Sequence, residues 1–258
     1  MRKIYVVLSA LVLVSMVLAA CTPAATPTQA PTVAPTKPAA TVAPTVAPTV
    51  APTKAPTVAP TAVPAKTETL RLNLGSYPDN LDPQQASFVN ELAHLKLVYE
   101  ALTKLDKELK TIPGAAEKWE YNKDATEVTF TLRKGLKYSD GSLLNAKRFE
   151  YSLLRNINPE TAGEYAAITD EILGAPEWRG GEAEDSSGVG VVALDSAGAP
   201  CADYEQADCL TLKITLSKPA PYFHTVMGLW VTYPAKEENI SEGGEIWYTS
   251  SKFQVGNG

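Results

Sequence analysis

The sequence has 258 residues, of which 20 are proline, and eleven of these prolines fall within residues 22–66. Such a composition does not build a hydrophobic core, so the globular part is confined to residues 67–258, which hold all four tryptophans and suffice for one domain or two small lobes. Only five of the 23 basic residues and none of the 29 acidic residues precede residue 67, which leaves 18 basic against 29 acidic residues and a net charge of −11 beyond it. This acidic balance argues against a nucleic-acid-binding surface.

The N-terminal residues have the features of an export signal. Two basic residues precede an uncharged apolar run over residues 4–18, as in a secretory signal peptide. The run is shorter than the roughly 20 apolar residues of a membrane-spanning helix. The tetrapeptide that ends at Cys21, LAAC, resembles the lipobox of bacterial lipoproteins, in which the cysteine is lipidated and becomes the mature N-terminus. We therefore expect a signal peptide over residues 1–20 and a lipid anchor on Cys21. The alternative is an ordinary signal peptide that releases a soluble protein.

The next segment is a repetitive spacer. Residues 22–66 cycle through Ala-Pro-Thr-Val and close variants with a period of four. Proline at every fourth position stops helix propagation and removes sheet donors, and the residues between have too little bulk for a core. The sequence therefore predicts a disordered, polyproline-like linker between the lipidated cysteine and the globular part, reaching roughly 140 Å when fully extended.

The globular part begins with a pattern typical of strand, helix and strand. Alternation of apolar and polar residues predicts an opening strand with one buried face, formed by Leu70, Leu72 and Leu74. Apolar residues then recur at helical spacing, at Leu92, Leu95, Val98 and Leu102. A second alternating segment over residues 126–132 predicts a strand that buries Val128, Phe130 and Leu132, with a turn at Asp140-Gly141 beyond it.

A second helix and two more strands follow. Asn145 is a favourable N-cap, and Pro159 ends the helical pattern. The buried stripe of this helix is spaced four residues apart, at Phe149, Leu153 and Ile157. Strands are predicted at residues 189–194 and 210–216. The resulting fold class is mixed α/β.

Cysteines and histidines give no sign of a metal site. Cys201 and Cys209 lie close together in a segment of small and acidic residues, and outside the cytoplasm such a pair is expected to form a disulfide, with two free thiols as the alternative. His94 and His224 are distant in sequence from both cysteines, and we expect them to be ordinary packed or surface histidines. No phosphate-binding, nucleophile-elbow or zinc-protease motif occurs. The sequence thus predicts no cofactor, no metal and no catalytic residue.

Several spaced motifs resemble one known family. Residues 116–141 read AEKWEYNKDATEVTFTLRKGLKYSDG. This stretch resembles the signature of the family 5 extracytoplasmic solute-binding proteins, the oligopeptide-, dipeptide- and nickel-binding receptors of ABC importers. Tyr138 departs from the family's usual phenylalanine or tryptophan but keeps an aromatic ring. Further similar elements are NLDP at residues 80–83, IPGA at 112–115, FEYSL at 149–153, NPET at 158–161 and LTLKITLSKPAPYF at 210–223.

The resemblance implies a periplasmic-binding-protein-like (class II) fold with two lobes that close on a ligand by hinge bending. It implies a receptor that binds peptides or related small solutes without breaking a bond and delivers them to the permease subunits of an ABC transporter. The location implied is the extracytoplasmic face of the bacterial membrane. In the family, the residues just after the Leu-Asp-Pro element lie close to the cleft, which points to Ser87 and Phe88 as ligand-contacting residues. Asp82-Pro83 is expected to cap and start the following helix.

Family members commonly exceed twice this length, so residues 67–258 are expected to be the N-terminal part of a larger solute-binding domain. Alternatives remain at this stage. One is a surface-displayed structural or adhesive lipoprotein built on the same scaffold, and another is a non-functional truncated fragment. A third, an extracellular hydrolase, has no motif in its support.

Overall fold

In the computed structural model, which describes residue 69 and residues 71–258, the strands form two antiparallel sheets. The small sheet is a hairpin of β1 (Thr103–Leu105) and β2 (Thr111–Pro113). The larger sheet contains β3 (Ala116–Tyr121), β4 (Glu127–Leu132), β5 (Val191–Leu194) and β6 (Thr211–Thr215), in the order β3-β4-β6-β5. The predicted signal peptide, the predicted lipidation site Cys21 and the predicted linker lie outside the described residues.

Helices connect and cover these strands. The α-helices of the described residues are α1 (Val89–Val98), α2 (Ala146–Ile157), α3 (Ala175–Arg179), α4 (Phe223–Val226) and α5 (Glu237–Gly243). Short 3₁₀ turns occupy Ala166–Thr169, Ser186–Gly188, Trp230–Thr232 and Gly244–Thr249. None of the helices in the part of the chain described here has the length and apolar character needed to span a bilayer.

The main core lies between the four-stranded sheet and α2, which packs on β5 and β6. The predicted inward residues of β4 are all buried: Val128, Phe130 and Leu132. The predicted stripe of α2 is buried as well: Phe149, Leu153 and Ile157. Each such side chain contributes roughly 1.5–3 kcal/mol by leaving water. The mixed α/β class and the central strand and helix predictions are therefore confirmed.

Residues 71–74 differ from the prediction of an opening strand. They have no strand conformation, Leu72 is 51% exposed and Leu74 is half-buried, while Leu70 lies outside the described residues. A strand needs a neighbour to receive its main-chain hydrogen bonds. Within the described residues, the edge strands β3 and β5 do not pair with this segment, so the alternating leucines have no sheet to join.

One predicted boundary has a different cause in the structure, and another lies two residues further along the chain. Asn145 does occupy the N-cap position of α2, but its side chain makes no capping bond. Its Nδ2 instead donates to the main-chain carbonyls of Asp203, Tyr204 and Gln206, at 3.3, 3.3 and 3.1 Å. The strand predicted from Val189 begins at Val191, because the Val189 N–H closes the preceding 3₁₀ turn with Ser186 O at 3.0 Å.

Candidate functional site

Two cavities open on the described part of the chain, on different elements. The first, of about 770 Å³, has an aromatic and polar lining that includes Tyr151, Trp178, Trp247 and Arg155. The second, of about 960 Å³, lies among α1, the β1–β2 hairpin and residues 225–233. Neither Ser87 nor Phe88 lines either cavity. The cavities and the predicted ligand-contacting residues are therefore separate features.

A buried ion pair forms the floor of the first cavity. The guanidinium of Arg155 in α2 binds both carboxylate oxygens of Asp82, at 2.7 and 2.6 Å. Asp82 also accepts hydrogen bonds from Trp247 Nε1 at 2.9 Å and from the Gln84 N–H at 3.0 Å. Each oxygen of this carboxylate thus has two partners. Arg155 and Asp82 therefore join three parts of the chain, and the Asp82 carboxylate accepts four hydrogen bonds from within the fold.

Asp82 consequently has a different role from the one predicted. Its bond to the Gln84 N–H stabilises a turn over residues 83–85. The helix that Asp82-Pro83 was expected to start begins only at Val89. The intervening residues 84–88 form an irregular segment, which we call the ligand segment because it contains Ser87 and Phe88.

The second cavity has an aromatic wall. Tyr99 and Tyr233 stack with ring centroids 5.6 Å apart. Burial raises the pKa of Tyr99 well above its usual range and that of Tyr233 to about 12. Both phenols are therefore neutral at physiological pH, and the wall they form is uncharged. Such a surface favours apolar groups.

Ser87 and Phe88 lie at an exposed edge of the molecule. The Phe88 side chain is 63% exposed, and Ser87 is partly exposed. Their main-chain N–H groups both donate to Glu91 Oε2, at 2.8 and 3.0 Å. Glu91 is in the first turn of α1, so the start of this helix fixes the two residues. The exposed part of the Phe88 ring is therefore free to contact another molecule.

Two further aromatic residues reach this edge from distant parts of the chain. Trp230 Nε1 donates to the carbonyl of Ala86 at 2.8 Å. Tyr165, which is 38% exposed, packs edge-on against Trp230 with centroids 5.2 Å apart. We call Ser87, Phe88, Tyr165 and Trp230 the aromatic edge. Sequence reasoning missed Tyr165 and Trp230, since no local pattern indicates that they approach residue 86.

The loop that carries Tyr165 packs closely on the ligand segment. Gln85 Nε2 donates to Thr161 O at 3.0 Å. A Cβ on Gly163 would lie 2.2 Å from Gln84 O, so only glycine permits this approach. The aromatic edge is therefore held by direct contacts between residues 84–88, 161–165 and 230. Its chemistry suits the binding of main-chain and apolar groups, since it contains three aromatic rings and two hydroxyls, those of Ser87 and Tyr165.

The remaining sequence-predicted residues lie elsewhere. Cys201 and Cys209 are buried and joined in a disulfide with a Cα–Cα distance of 5.8 Å. His224 stacks on Trp119 with centroids 5.0 Å apart, and burial lowers its pKa. His94 Nδ1 lies 2.8 Å from Asn90 O. Both histidines are thus packed within the fold, and neither belongs to the aromatic edge.

Several known proteins resemble this chain in sequence and in fold. Residues 110–258 match the model described as bacterial extracellular solute-binding proteins, family 5 Middle. The chain belongs to this family. The periplasmic oligopeptide-binding protein OppA of Escherichia coli is 35% identical over 185 residues, which cover 71% of this chain and 31% of that protein.

Solved family 5 structures agree with the fold. The E. coli murein tripeptide binding protein MppA superposes with a TM-score of 0.60 at 29% identity, covering 70% of this chain and 33% of that one. OppA of Listeria monocytogenes, solved bound to peptide, gives a TM-score of 0.61 at 26% identity, with 70% and 33% covered. The chain thus spans about a third of the length of these family 5 relatives. Its fold is the corresponding part of theirs.

Proposed function

We propose that this chain is part of a peptide-binding receptor of an ABC importer. The observation that carries the proposal is its membership of family 5 together with 35% identity to an oligopeptide-binding protein. Related proteins named for binding a murein tripeptide or solved bound to peptide support the same class of solute. On this proposal the protein captures peptides without chemical change and is not an enzyme.

The aromatic edge is the part of the described chain that we assign to ligand contact. Phe88 is exposed, and the carbonyl of Ala86 two residues before it is held by Trp230. A peptide bound in extended form makes main-chain hydrogen bonds and places its side chains against apolar surfaces. Ser87 and Phe88 therefore remain our candidates for ligand contact, with Tyr165 and Trp230 beside them.

The N-terminal residues suggest how the receptor is attached to the membrane. We propose that residues 1–20 are a signal peptide, that Cys21 carries lipid and that residues 22–66 form a linker to the binding domain, which comprises residues 67–258. The protein would then be attached to the extracytoplasmic face of the membrane, where it meets its permease. Metabolic labelling with a palmitate analogue tests this: the parent should incorporate label, and Cys21→Ser should not.

Calorimetry with a pool of random tripeptides tests the binding function. The natural protein that contains this chain should give saturable heat. A matched pool of free amino acids should give much less, since it lacks the peptide main chain. Absence of saturable heat with the tripeptide pool would contradict the proposed function.

A further inference from the structure

The ligand segment has no regular secondary structure, and yet it occupies one defined position. Its main-chain N–H groups do not form a helix or sheet ladder, so other groups must satisfy them. At residues 87 and 88 this group is the carboxylate of Glu91, which is only 2% exposed. Glu91 is at position N3 of α1 and Phe88 is the N-cap, so the bond from the Phe88 N–H is that of a capping box, whereas the bonds from Asn80 and Ser87 go beyond helix capping.

Glu91 joins both ends of the loop that precedes α1. Its Oε1 accepts the N–H of Asn80 at 2.9 Å, and its Oε2 accepts the N–H groups of Ser87 and Phe88 at 2.8 and 3.0 Å. Among the described residues, no lysine, arginine or histidine lies within ion-pair distance of this carboxylate. The Glu91 carboxylate is therefore bonded by main-chain N–H groups. Hydrogen bonds to a charged acceptor are stronger than those to a neutral one.

Other contacts hold Gln84 and Ala86, whereas the N–H groups of Ser87 and Phe88 are bonded by Glu91. Gln84 donates to the carbonyls of Val231 and Tyr233, both at 3.1 Å. Trp230 holds the carbonyl of Ala86. Without the carboxylate, the N–H groups of Ser87 and Phe88 would both lose their partner, and Phe88 would keep the bond that its carbonyl accepts from the Leu92 N–H at 3.0 Å. Ser87 and Phe88 are also the two residues assigned to ligand contact.

We propose that Glu91 is the positioning residue of the ligand site: its carboxylate holds Ser87 and Phe88 in the orientation that receives peptide. This inference rests on the proposed function. Glu91 itself is too deeply buried to contact the peptide. Because Glu91 occupies both N–H groups, Ser87 and Phe88 present their side chains, a hydroxyl and an exposed ring, to a peptide.

Two substitutions test the proposal in the natural protein that contains this chain. Glu91→Ala removes all three bonds, and Glu91→Gln keeps an amide oxygen as an uncharged acceptor. Leu132→Ala is the control, because it opens a cavity in β4, away from the ligand segment, and should lower the melting temperature without moving Ser87 or Phe88. Affinity for the random tripeptide pool and the amide exchange rates of Ser87 and Phe88 are measured for each variant.

We expect Glu91→Ala to weaken tripeptide binding about tenfold or more, as the loss of charge-assisted hydrogen bonds would. Glu91→Gln should recover part of that affinity. Amide exchange at Ser87 and Phe88 should accelerate in both variants, most in the alanine variant. Leu132→Ala should leave affinity and these two exchange rates unchanged.

Two results would overturn the inference while leaving the proposed function intact. One is parental affinity in Glu91→Ala. The other is an equal loss of affinity in Leu132→Ala, which would mean that general destabilisation is the cause. If the parent itself binds no tripeptide, the proposed function fails. The amide exchange rates of Ser87 and Phe88 then still test whether Glu91 holds the ligand segment. Rates in Glu91→Ala equal to those of the parent would refute the inference.

Discussion

At the scale of single residues, burial decides which charged side chains matter for stability. Asp82 is 1% exposed and bonded to Arg155, whereas the pair formed by Lys118 and Glu120 lies in solvent. Exposed pairs contribute little because water screens them and because two flexible side chains must be ordered. A buried pair that loses one partner leaves an uncompensated charge. The two pairs should therefore respond very differently to mutation.

Asp82→Asn should lower the free energy of unfolding by about 3 kcal/mol, because it leaves the Arg155 guanidinium buried beside a neutral group. Chemical denaturation in urea measures the loss. Glu120→Gln, which neutralises the exposed pair, is the matched control and should change stability by less than about 0.5 kcal/mol. Equal effects in the two variants would contradict this assignment.

The Asp140 carboxylate predicts how the stability of the protein changes at low pH. Partial burial acts in the opposite direction, but hydrogen bonds from Lys236 and Ser142 lower the pKa of this carboxyl from 3.8 to about 2. A lowered folded-state pKa stabilises the protein above the unfolded pKa, and this contribution disappears as the pH falls toward 2. Asp140→Asn should therefore cost about 0.5 kcal/mol at neutral pH and nothing near pH 2.

The pH dependence of unfolding, compared between parent and Asp140→Asn, measures this difference. Lys236→Gln should reduce it, since the ammonium lies 2.7 Å from Asp140 Oδ2. A stability difference that persists unchanged at low pH would show that the carboxylate charge is not its source.

At the scale of elements, α2 connects the sheet to the residues around it. Its N-terminus receives the loop closed by Cys201 and Cys209: the Ala146 N–H donates to Cys209 O at 2.9 Å, and Asn145 binds three carbonyls within the loop. The Tyr204 ring in this loop lies 3.8 Å from the Arg148 guanidinium. Arg148 also forms an ion pair with Glu238 of α5. The disulfide loop therefore orders one end of the helix.

Replacing both Cys201 and Cys209 by serine should lower the free energy of unfolding by about 2–3 kcal/mol, the value expected when a loop of this length is no longer closed. Hydrogen exchange should increase first at the N-terminal turn of α2. Urea unfolding with and without reductant measures the effect. Reductant should destabilise the parent and leave the double variant unchanged, and a parent indifferent to reductant would contradict the prediction.

At the scale of the whole molecule, the aromatic edge depends on three distant segments that meet at one place. Trp230 is 144 positions from Ala86 in sequence, and the contact between them exists only in the folded chain. Phe88 then remains exposed after folding has buried most other large apolar side chains. A peptide that covers this ring would remove apolar area from water, which favours binding.

Phe88→Ala should therefore weaken binding of the random tripeptide pool by roughly tenfold, as removal of a buried aromatic contact typically does. It should leave the melting temperature nearly unchanged because the ring is 63% exposed. Leu109→Ala, at a 77% exposed position in the β1–β2 hairpin turn, is the control and should keep parental affinity. Equal affinities of the Phe88 variant and the parent would remove Phe88 from the ligand site.

The family itself could be identified from the sequence, because its motifs are local and occur in order. The strand β4 and the helix α2 were predictable for a related reason: periods of two and of 3.6 residues state which face is buried. Leu72 and Leu74 follow the same alternation and yet form no strand, since pairing requires a neighbour that a local pattern does not specify. The alternating pattern thus predicts which side chains would share a face and leaves open whether the strand forms.

The amino-acid sequence by itself determined the family, the mixed α/β class and the central elements of the sheet. Only the tertiary structure decided that Asp82 pairs with Arg155, that Glu91 holds Ser87 and Phe88, and that Trp230 binds the carbonyl of Ala86 and packs against Tyr165. The physical reason is the distance along the chain over which each interaction acts. Periodicity and capping act between neighbours along the chain, whereas a binding surface is formed by residues that meet only after the core between the sheet and α2 has closed.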